Sequence, residues 1–276
     1  MDRINSVKIQ SDNSSILRLG ALLQSLIPRT LRYPYLYTAL IACAELITIH
    51  FQYWGGVAHF AILVALFLHS VLIRERFISD LLTAMACAPL IRILSLSTPL
   101  EHFSQISWFL VISIPVFITA FTVAHLQGLS TRDLGLTLPR LKHIPLELLV
   151  TAIGFGIGAG EYQLLKPNPL AEFNAVALLA PSLIMLVSTG FLEEFVFRGL
   201  IQHNAERLAG FKGIVLVSII FGFLHITNIA VLDIFLATFA GLLFALVVRK
   251  TGSILGVSMA HGAANISLFL ICPYLF

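Results

Sequence analysis

Long apolar runs alternate with short polar segments along almost the whole chain. The runs lie near residues 35–51, 56–73, 77–97, 106–126, 145–164, 175–197, 213–227, 229–248 and 254–273. A helix needs about 20 apolar residues to cross the hydrocarbon core of a bilayer, and most of these runs are close to that length. The first two and the seventh are shorter, so one of them can be re-entrant or merged with a neighbour. The pattern predicts an all-α fold, a polytopic membrane bundle of about eight or nine transmembrane helices.

Composition agrees with a membrane protein. Of the 276 residues, 58% are hydrophobic and 11% are charged, whereas a soluble domain carries roughly 25% charged residues. The basic residues lie in short segments between the apolar runs and form no stripe interleaved with aromatic side chains, which argues against nucleic acid as a partner. The expected partners are the lipid bilayer and a membrane protein or peptide substrate.

Charge between the runs predicts the orientation and the organisation of the chain. Short basic segments follow every second run: Arg74 and Arg76; Arg132, Arg140 and Lys142; Arg207 and Lys212; Arg249 and Lys250. Because basic loops stay in the cytoplasm, the N-terminus is expected to be cytoplasmic and the C-terminus to lie on the other side. Residues 16–31 mix apolar and basic residues, as in an interfacial helix. The polar linker 127–143 predicts two units, residues 1–126 and residues 133–276.

Three polar clusters interrupt the last apolar runs. They are Glu193-Glu194 with Arg198, His225 four residues after Phe221, and His261 with Asn265. Ionisable groups are costly in a bilayer and normally line a cavity or a reaction site. Glu194 and Arg198 are four residues apart and therefore neighbours on one helix face, where they can form an ion pair. Glu193 points in another direction without a partner in its own helix, so it is the better candidate for chemistry.

The spacing of the clusters predicts that they meet. Residues 209–211 resemble a tight turn, and Glu193 and His225 lie 16 residues to either side of Ala209. In an antiparallel hairpin these two side chains reach the same depth, about 24 Å from the turn. His261 follows the next turn by about two helical turns, and Asn265 lies on the same face as His261. We expect all four side chains to converge around one hydrated pocket.

Such a set of groups is suited to hydrolysis by an activated water. Glu193 would act as the general base, the histidines would orient the water, and Asn265 with a histidine would donate to the developing oxyanion. No serine or cysteine lies in a nucleophile motif. The alternative is a zinc ion held by Glu193, His225 and His261, although the HExxH motif does not occur. We expect metal-free chemistry, with zinc as the alternative.

The same residues are compatible with roles that involve no hydrolysis. Singly, the Glu194–Arg198 pair, the packing of Phe221 on His225 and an interhelical bond from Asn265 are common structural features of membrane helices. Further polar residues within or beside the runs (Glu45, Asp80, Arg92, Glu161 and Asp233) could form the relay of a proton-coupled transporter. A third alternative is a non-catalytic immunity or binding protein that uses the same scaffold.

The three clusters resemble the motifs of a known family. Residues 193–198 match EExxxR, residues 221–225 match FxxxH and residues 261–265 match HxxxN, in the order found in the CPBP family (CAAX protease and bacteriocin-processing, or Abi) of intramembrane proteases. The resemblance implies that Glu193 activates water, Arg198 holds Glu194, and His225, His261 and Asn265 complete the site. It implies a catalytic bundle in residues 133–276, extra helices in residues 1–126, and an endopeptidase of a prokaryotic inner or plasma membrane. Its substrate would be membrane-associated, C-terminally anchored or CAAX-like.

Overall fold

The computed structural model describes residues 29–276, which fold entirely into helices and connecting turns. The long helices are α1 (Arg32–His50), α2 (Gln52–Leu72), α3 (Arg76–Ser97), α4 (Gln105–Leu126), α5 (Ile144–Leu165), α6 (Ala175–Ala209), α7 (Phe211–Phe223), α8 (Val231–Thr251) and α9 (Leu255–Leu275). In α3, a short irregularity at Ala86 joins two helical segments. The prediction of an all-α polytopic bundle is confirmed.

Eight candidate membrane spans occur in the described part of the chain, from α2 to α9. The run predicted at 35–51 forms α1, which is not one of the eight because its tyrosines and Glu45 make it less apolar. The run predicted at 175–197 continues as one helix to Ala209, and Gly210 with φ +56° makes the tight turn into α7. The interfacial helix expected at 16–31 lies almost wholly outside the described residues.

Helix α6 lies at the centre of the bundle. It contacts α3, α4, α7, α8 and α9, while α1 and α2 pack against one another and α1 also packs on α7. One hydrophobic core joins residues of all nine described helices, for example Ile41 in α1, Phe195 in α6 and Val257 in α9. Helices from both predicted units therefore share a core, and the division into 1–126 and 133–276 stays a prediction.

The basic connections meet at one end of the bundle, which we call the basic end. It comprises residues 73–76, 127–143, 209–212 and 249–254. Three contacts tie it together: the Asn204 amide donates to Gln127 (2.8 Å), Arg249 pairs with Glu206 (3.3 Å), and the Thr137 hydroxyl donates to the Gly252 carbonyl (3.2 Å). A single basic end is the charge distribution that the positive-inside rule requires.

Helices α5 and α9 approach closely at Gly154 and Gly158. A Cβ atom on either glycine would overlap the carbonyl oxygen of Ala260 or Ala264, whereas one on Gly156 would meet nothing within 4 Å. We expect Gly158→Ala to lower the free energy of unfolding by about 1–3 kcal/mol through overpacking. Gly156→Ala is the matched control and should be neutral or stabilise by up to about 1 kcal/mol. Equal shifts of the thermal unfolding midpoint in the two variants would contradict this packing.

Candidate active site

Helix α6 leaves the regular α-helical geometry around its two adjacent glutamates. The short α-helical segment Leu192–Glu194 lies between two π-helical segments, Met185–Phe191 and Phe195–Gln202. Such π-helical turns are rare and occur frequently at functional sites. These segments were not predicted from the sequence, for which regular turns of 3.6 residues were assumed. The Glu194–Arg198 pair forms nevertheless.

Two glycines bring α6 and α9 into backbone contact beside the glutamates. A Cβ atom on Gly190 would lie 2.6 Å from the Gly262 nitrogen and 2.6 Å from the Ser258 carbonyl oxygen. Gly262 in turn lies against Leu186. Only glycine permits this approach, which places Glu194 of α6 within hydrogen-bond distance of His261 of α9.

Glu194 links α6 to α9 through two contacts. Its Oε1 lies 2.9 Å from His261 Nδ1, and its Oε2 lies 3.0 Å from Arg198 Nε. Both Glu194 and Arg198 have fully buried side chains. Because the carboxylate paired with Arg198 can only accept, His261 Nδ1 must carry the hydrogen, and this fixes both the ring orientation and the tautomer of neutral His261.

Aromatic rings surround the buried guanidinium of Arg198. Its Cζ lies 5.1 Å from the ring centroid of Phe221 and 6.0 Å from that of Phe197. The contact of Nε with Glu194 is ionic and lacks the alignment of a hydrogen bond. None of the three guanidinium nitrogens forms a hydrogen bond within residues 29–276. Cation–π attraction in this apolar setting offsets part of that deficit.

Glu193 points away from this pair, towards His261 and a cavity. Its Oε2 lies 3.8 Å from His261 Nε2, and 31% of its side chain is exposed. With Nδ1 donating to Glu194, neutral His261 presents a lone pair on Nε2. Two acceptors 3.8 Å apart can each receive one hydrogen of a single water molecule, which leaves the water oxygen free to attack a carbonyl carbon.

His225 lies at the end of α7, where a turn leads to α8. Its Nδ1 lies 3.0 Å from the Phe221 carbonyl oxygen, so this nitrogen carries a hydrogen and neutral His225 has its lone pair on Nε2. The Phe221 ring contacts both histidines, with centroid distances of 5.2 Å to His225 and 5.7 Å to His261. Phe221 therefore packs on both imidazoles and on Arg198 as well.

The predicted site residues line two cavities that share His225. The larger, of about 260 Å³, contains Glu193 and His225. The smaller, of about 40 Å³, contains His225, His261 and Asn265. One pocket for all four side chains was expected from the sequence. Instead, Glu193 lines the larger cavity and not the smaller one, whereas His261 and Asn265 line only the smaller one.

Asn265 contacts α6 instead of standing free. Its Nδ2 donates to the Thr189 hydroxyl at 2.7 Å, and that hydroxyl donates to the Met185 carbonyl at 2.6 Å. Within residues 29–276 the other amide hydrogen of Asn265 has no partner, so it can donate to a ligand. Thr189 lines the larger cavity, so this bond connects the two cavities across α6.

Several polar residues that the sequence analysis assigned only to a transporter relay lie in these cavities. Arg92 of α3 lines the larger cavity, and Glu161 and Asp233 line the smaller one. Asp233 is buried, and its Oδ2 accepts a hydrogen bond from Asn228 at 2.8 Å. Each of them is an ionisable residue in or beside an apolar run, which is the sequence signal for a functional residue in a membrane. Their positions along the chain, however, do not predict that they lie next to the three motifs.

The donor types present suit a zinc ion, but their arrangement does not. Glu193 and the Nε2 atoms of both histidines are ligands that zinc prefers. Within residues 29–276, however, no group of three or more His, Cys, Asp or Glu side chains is arranged to hold a metal ion.

Part of the chain matches a known protein family. Residues 175–267 match the family described as type II CAAX prenyl endopeptidase Rce1-like. This segment contains all three motifs and the helices α6 to α8 with most of α9, and the match confirms the family resemblance predicted from the sequence. At the level of that family, it supports a CAAX-type intramembrane protease. Searches of curated proteins and of solved structures gave no match.

Proposed function

We propose that the protein is an intramembrane endopeptidase in which Glu193 activates a water molecule for attack on a peptide bond. The observation that carries the proposal is the 3.8 Å approach to His261 Nε2 of Glu193 Oε2, whose side chain lines the cavity of about 260 Å³. A carboxylate and an imidazole nitrogen at this separation can orient one water molecule. The family match of the same segment supports proteolysis over other reactions.

The proposed reaction needs only water, the peptide and these side chains. Glu193 takes a proton from water as the water oxygen attacks the carbonyl carbon, which gives a tetrahedral intermediate with a negatively charged oxygen. The free amide hydrogen of Asn265 is the candidate donor to that oxygen. The protonated Glu193 then gives its proton to the leaving nitrogen as the carbon–nitrogen bond breaks. Glu194 and Arg198 act through His261, whose ring they orient.

We propose that the substrate is a membrane-associated peptide with a C-terminal anchor or a CAAX-like tail. About half of the side chains that line the larger cavity are apolar, including Trp108, Phe109 and Ile112. To test this, the protein is reconstituted with a lipid-anchored peptide that ends in an apolar tail, and the released tail is identified by mass spectrometry. A single internal cut is expected. Intact peptide together with substrate-dependent ion flux would instead favour a transporter.

We also propose that the basic end faces the cytoplasm of a prokaryotic cell, with the N-terminus on the same side. The grouping of four basic connections at one end supports this orientation. A cysteine placed at Lys142 should react with a membrane-impermeant thiol reagent only after the cells are permeabilised. Labelling in intact cells would contradict the orientation.

We propose that catalysis is metal-free. Because the described residues bring no three donors together for a metal, removal of metals with a chelator and dialysis should leave the cleavage rate unchanged. The metal content of the dialysed protein is measured in the same samples. Loss of activity on dialysis, with recovery on addition of zinc, would contradict the proposal and favour Glu193, His225 and His261 as ligands.

A further inference from the structure

We propose that Arg92 binds a carboxylate of the substrate in the larger cavity and thereby selects peptides with a free C-terminus close to the cleaved bond. This inference deepens the proposed function and depends on it. Arg92 belongs to α3, outside the segment 175–267 that matches the protease family. The inference therefore assigns a role in the site to the N-terminal helices, which carry none of the three motifs.

Two contacts hold Arg92 in place and leave part of its guanidinium free. Its Nε lies 2.8 Å from Glu45 Oε1 of α1, and its Nη2 donates to the Leu224 carbonyl at 2.6 Å. Leu224 directly precedes His225, so Arg92 is fixed to the same turn as that histidine. Nη1 forms no hydrogen bond within residues 29–276. Since a guanidinium carries five N–H donors in a rigid plane, the remaining donors can bind a second carboxylate.

Unequal exposure of the pair argues against a purely structural ion pair. The Glu45 side chain is 0% exposed and lies 3.4 Å from the equally buried His59, whereas the Arg92 side chain is 19% exposed. Glu45 thus lies behind the guanidinium, and Arg92 faces the cavity. Arg92 is the one lysine or arginine among the described residues that line this cavity.

One part of the cavity wall suits the apolar side chains of a peptide that ends in a negative charge. Trp108, Phe109, Ile91 and Val116 contribute apolar surface, while Glu193 supplies the candidate base. Trp108 Nε1 already donates to the Thr98 carbonyl at 3.0 Å. An apolar tail would pack on these side chains with its carboxylate at Arg92 and its scissile bond at Glu193.

Binding can be measured without cleavage. Trp54 and Trp108 are the two tryptophans of the chain, and Trp54 is 61% exposed. In a Trp54→Phe, Glu193→Gln background, Trp108 fluorescence reports peptides that enter the cavity. We expect an apolar tripeptide with a free C-terminal acid to bind about 10- to 100-fold more tightly than its C-terminal amide, as for a charge-assisted hydrogen bond. Arg92→Gln should abolish this preference, because it weakens binding of the free-acid peptide and leaves binding of the amide unchanged.

A further peptide distinguishes recognition of the C-terminal carboxylate from recognition of a side-chain carboxylate. An amidated peptide with an aspartate in its last position carries the charge on a side chain. Binding of the free-acid peptide alone supports recognition of the C-terminus. Stronger binding of the aspartate amide than of the apolar acid overturns that selectivity and indicates recognition of a side chain.

Matched variants distinguish recognition from folding. Arg92→Gln leaves Glu45 buried without its partner, so Glu45→Gln, Arg92→Gln is tested beside it and should also show no preference for the acid. Arg249→Gln removes a basic residue that pairs with Glu206 at the basic end and should keep the full preference. Equal acid and amide affinities in the protein that retains Arg92, or a preference that survives in both Arg92 variants, would overturn the inference. This binding test involves no cleavage. If the proposed protease activity is wrong, the acid peptide still binds selectively, but the protein that retains Glu193 does not cleave peptides.

Discussion

Replacement of Glu193 by glutamine is expected to lower the rate constant for peptide cleavage about a hundred- to ten-thousand-fold, the usual contribution of a general base. Glutamine has nearly the same shape but cannot take a proton from water. The side chain is 31% exposed and lies beside the cavity, so the fold should tolerate the change. The measurement is the initial cleavage rate in liposomes, at equal amounts of inserted protein.

The matched control is Glu101→Gln, at a glutamate whose side chain is 78% exposed and lies outside both cavities. This variant should cleave at the wild-type rate, and both variants should unfold at the wild-type temperature. Normal cleavage by Glu193→Gln would remove the proposed base. It would leave a transporter or a non-catalytic binding protein as the better interpretation of the polar residues.

Replacement of Arg198 by leucine is expected to lower the free energy of unfolding by about 3–5 kcal/mol, the usual cost when one partner of a buried ion pair is removed. Arg198 and Glu194 are both fully buried, with 3.0 Å between Arg198 Nε and Glu194 Oε2. The leucine variant leaves the Glu194 carboxylate in an apolar environment. Thermal unfolding in detergent micelles measures the loss.

Two further variants make this test specific. Glu194→Leu, Arg198→Leu removes both charges and should recover much of the stability, yet it should remain inactive because His261 loses the acceptor for Nδ1. Arg249→Leu breaks an ion pair whose arginine side chain is 48% exposed and should cost at most about 1 kcal/mol. If Arg198→Leu lowers the free energy of unfolding no more than Arg249→Leu does, the buried pair does not have this structural role.

The sequence was sufficient to predict the bundle, because bilayer-spanning helices are encoded locally by long apolar runs. It also predicted the Glu194–Arg198 contact and the separate direction of Glu193, since residues four apart remain neighbours in α6 in spite of its π-helical segments. Equal distances of Glu193 and His225 from the turn at Gly210 predicted equal depth, and both side chains line the larger cavity. These predictions needed only one helix or one hairpin.

Features that depend on packing between distant helices could not be predicted. The π-helical segment Met185–Phe191 packs against α9, and the segment Phe195–Gln202 packs against α3, α4, α7 and α8. Neither segment has a signature in residues 185–202. The contact of Arg92 with the Leu224 carbonyl could not be predicted either. The sequence around Arg92 does not show which distant turn the side chain will contact. Both depend on contacts between residues far apart in the chain.

The central claim, that Glu193 cuts peptides within a membrane, is tested most directly in cells of the native host. Membrane proteins from cells with the wild-type chain and from cells with only the Glu193→Gln chain are compared by mass spectrometry of their C-terminal peptides. The proposal predicts at least one membrane-associated protein that ends at an internal position in wild-type cells and keeps its full C-terminal tail in the variant. Identical sets of C-termini in the two strains, with the variant protein inserted at normal levels, would contradict it.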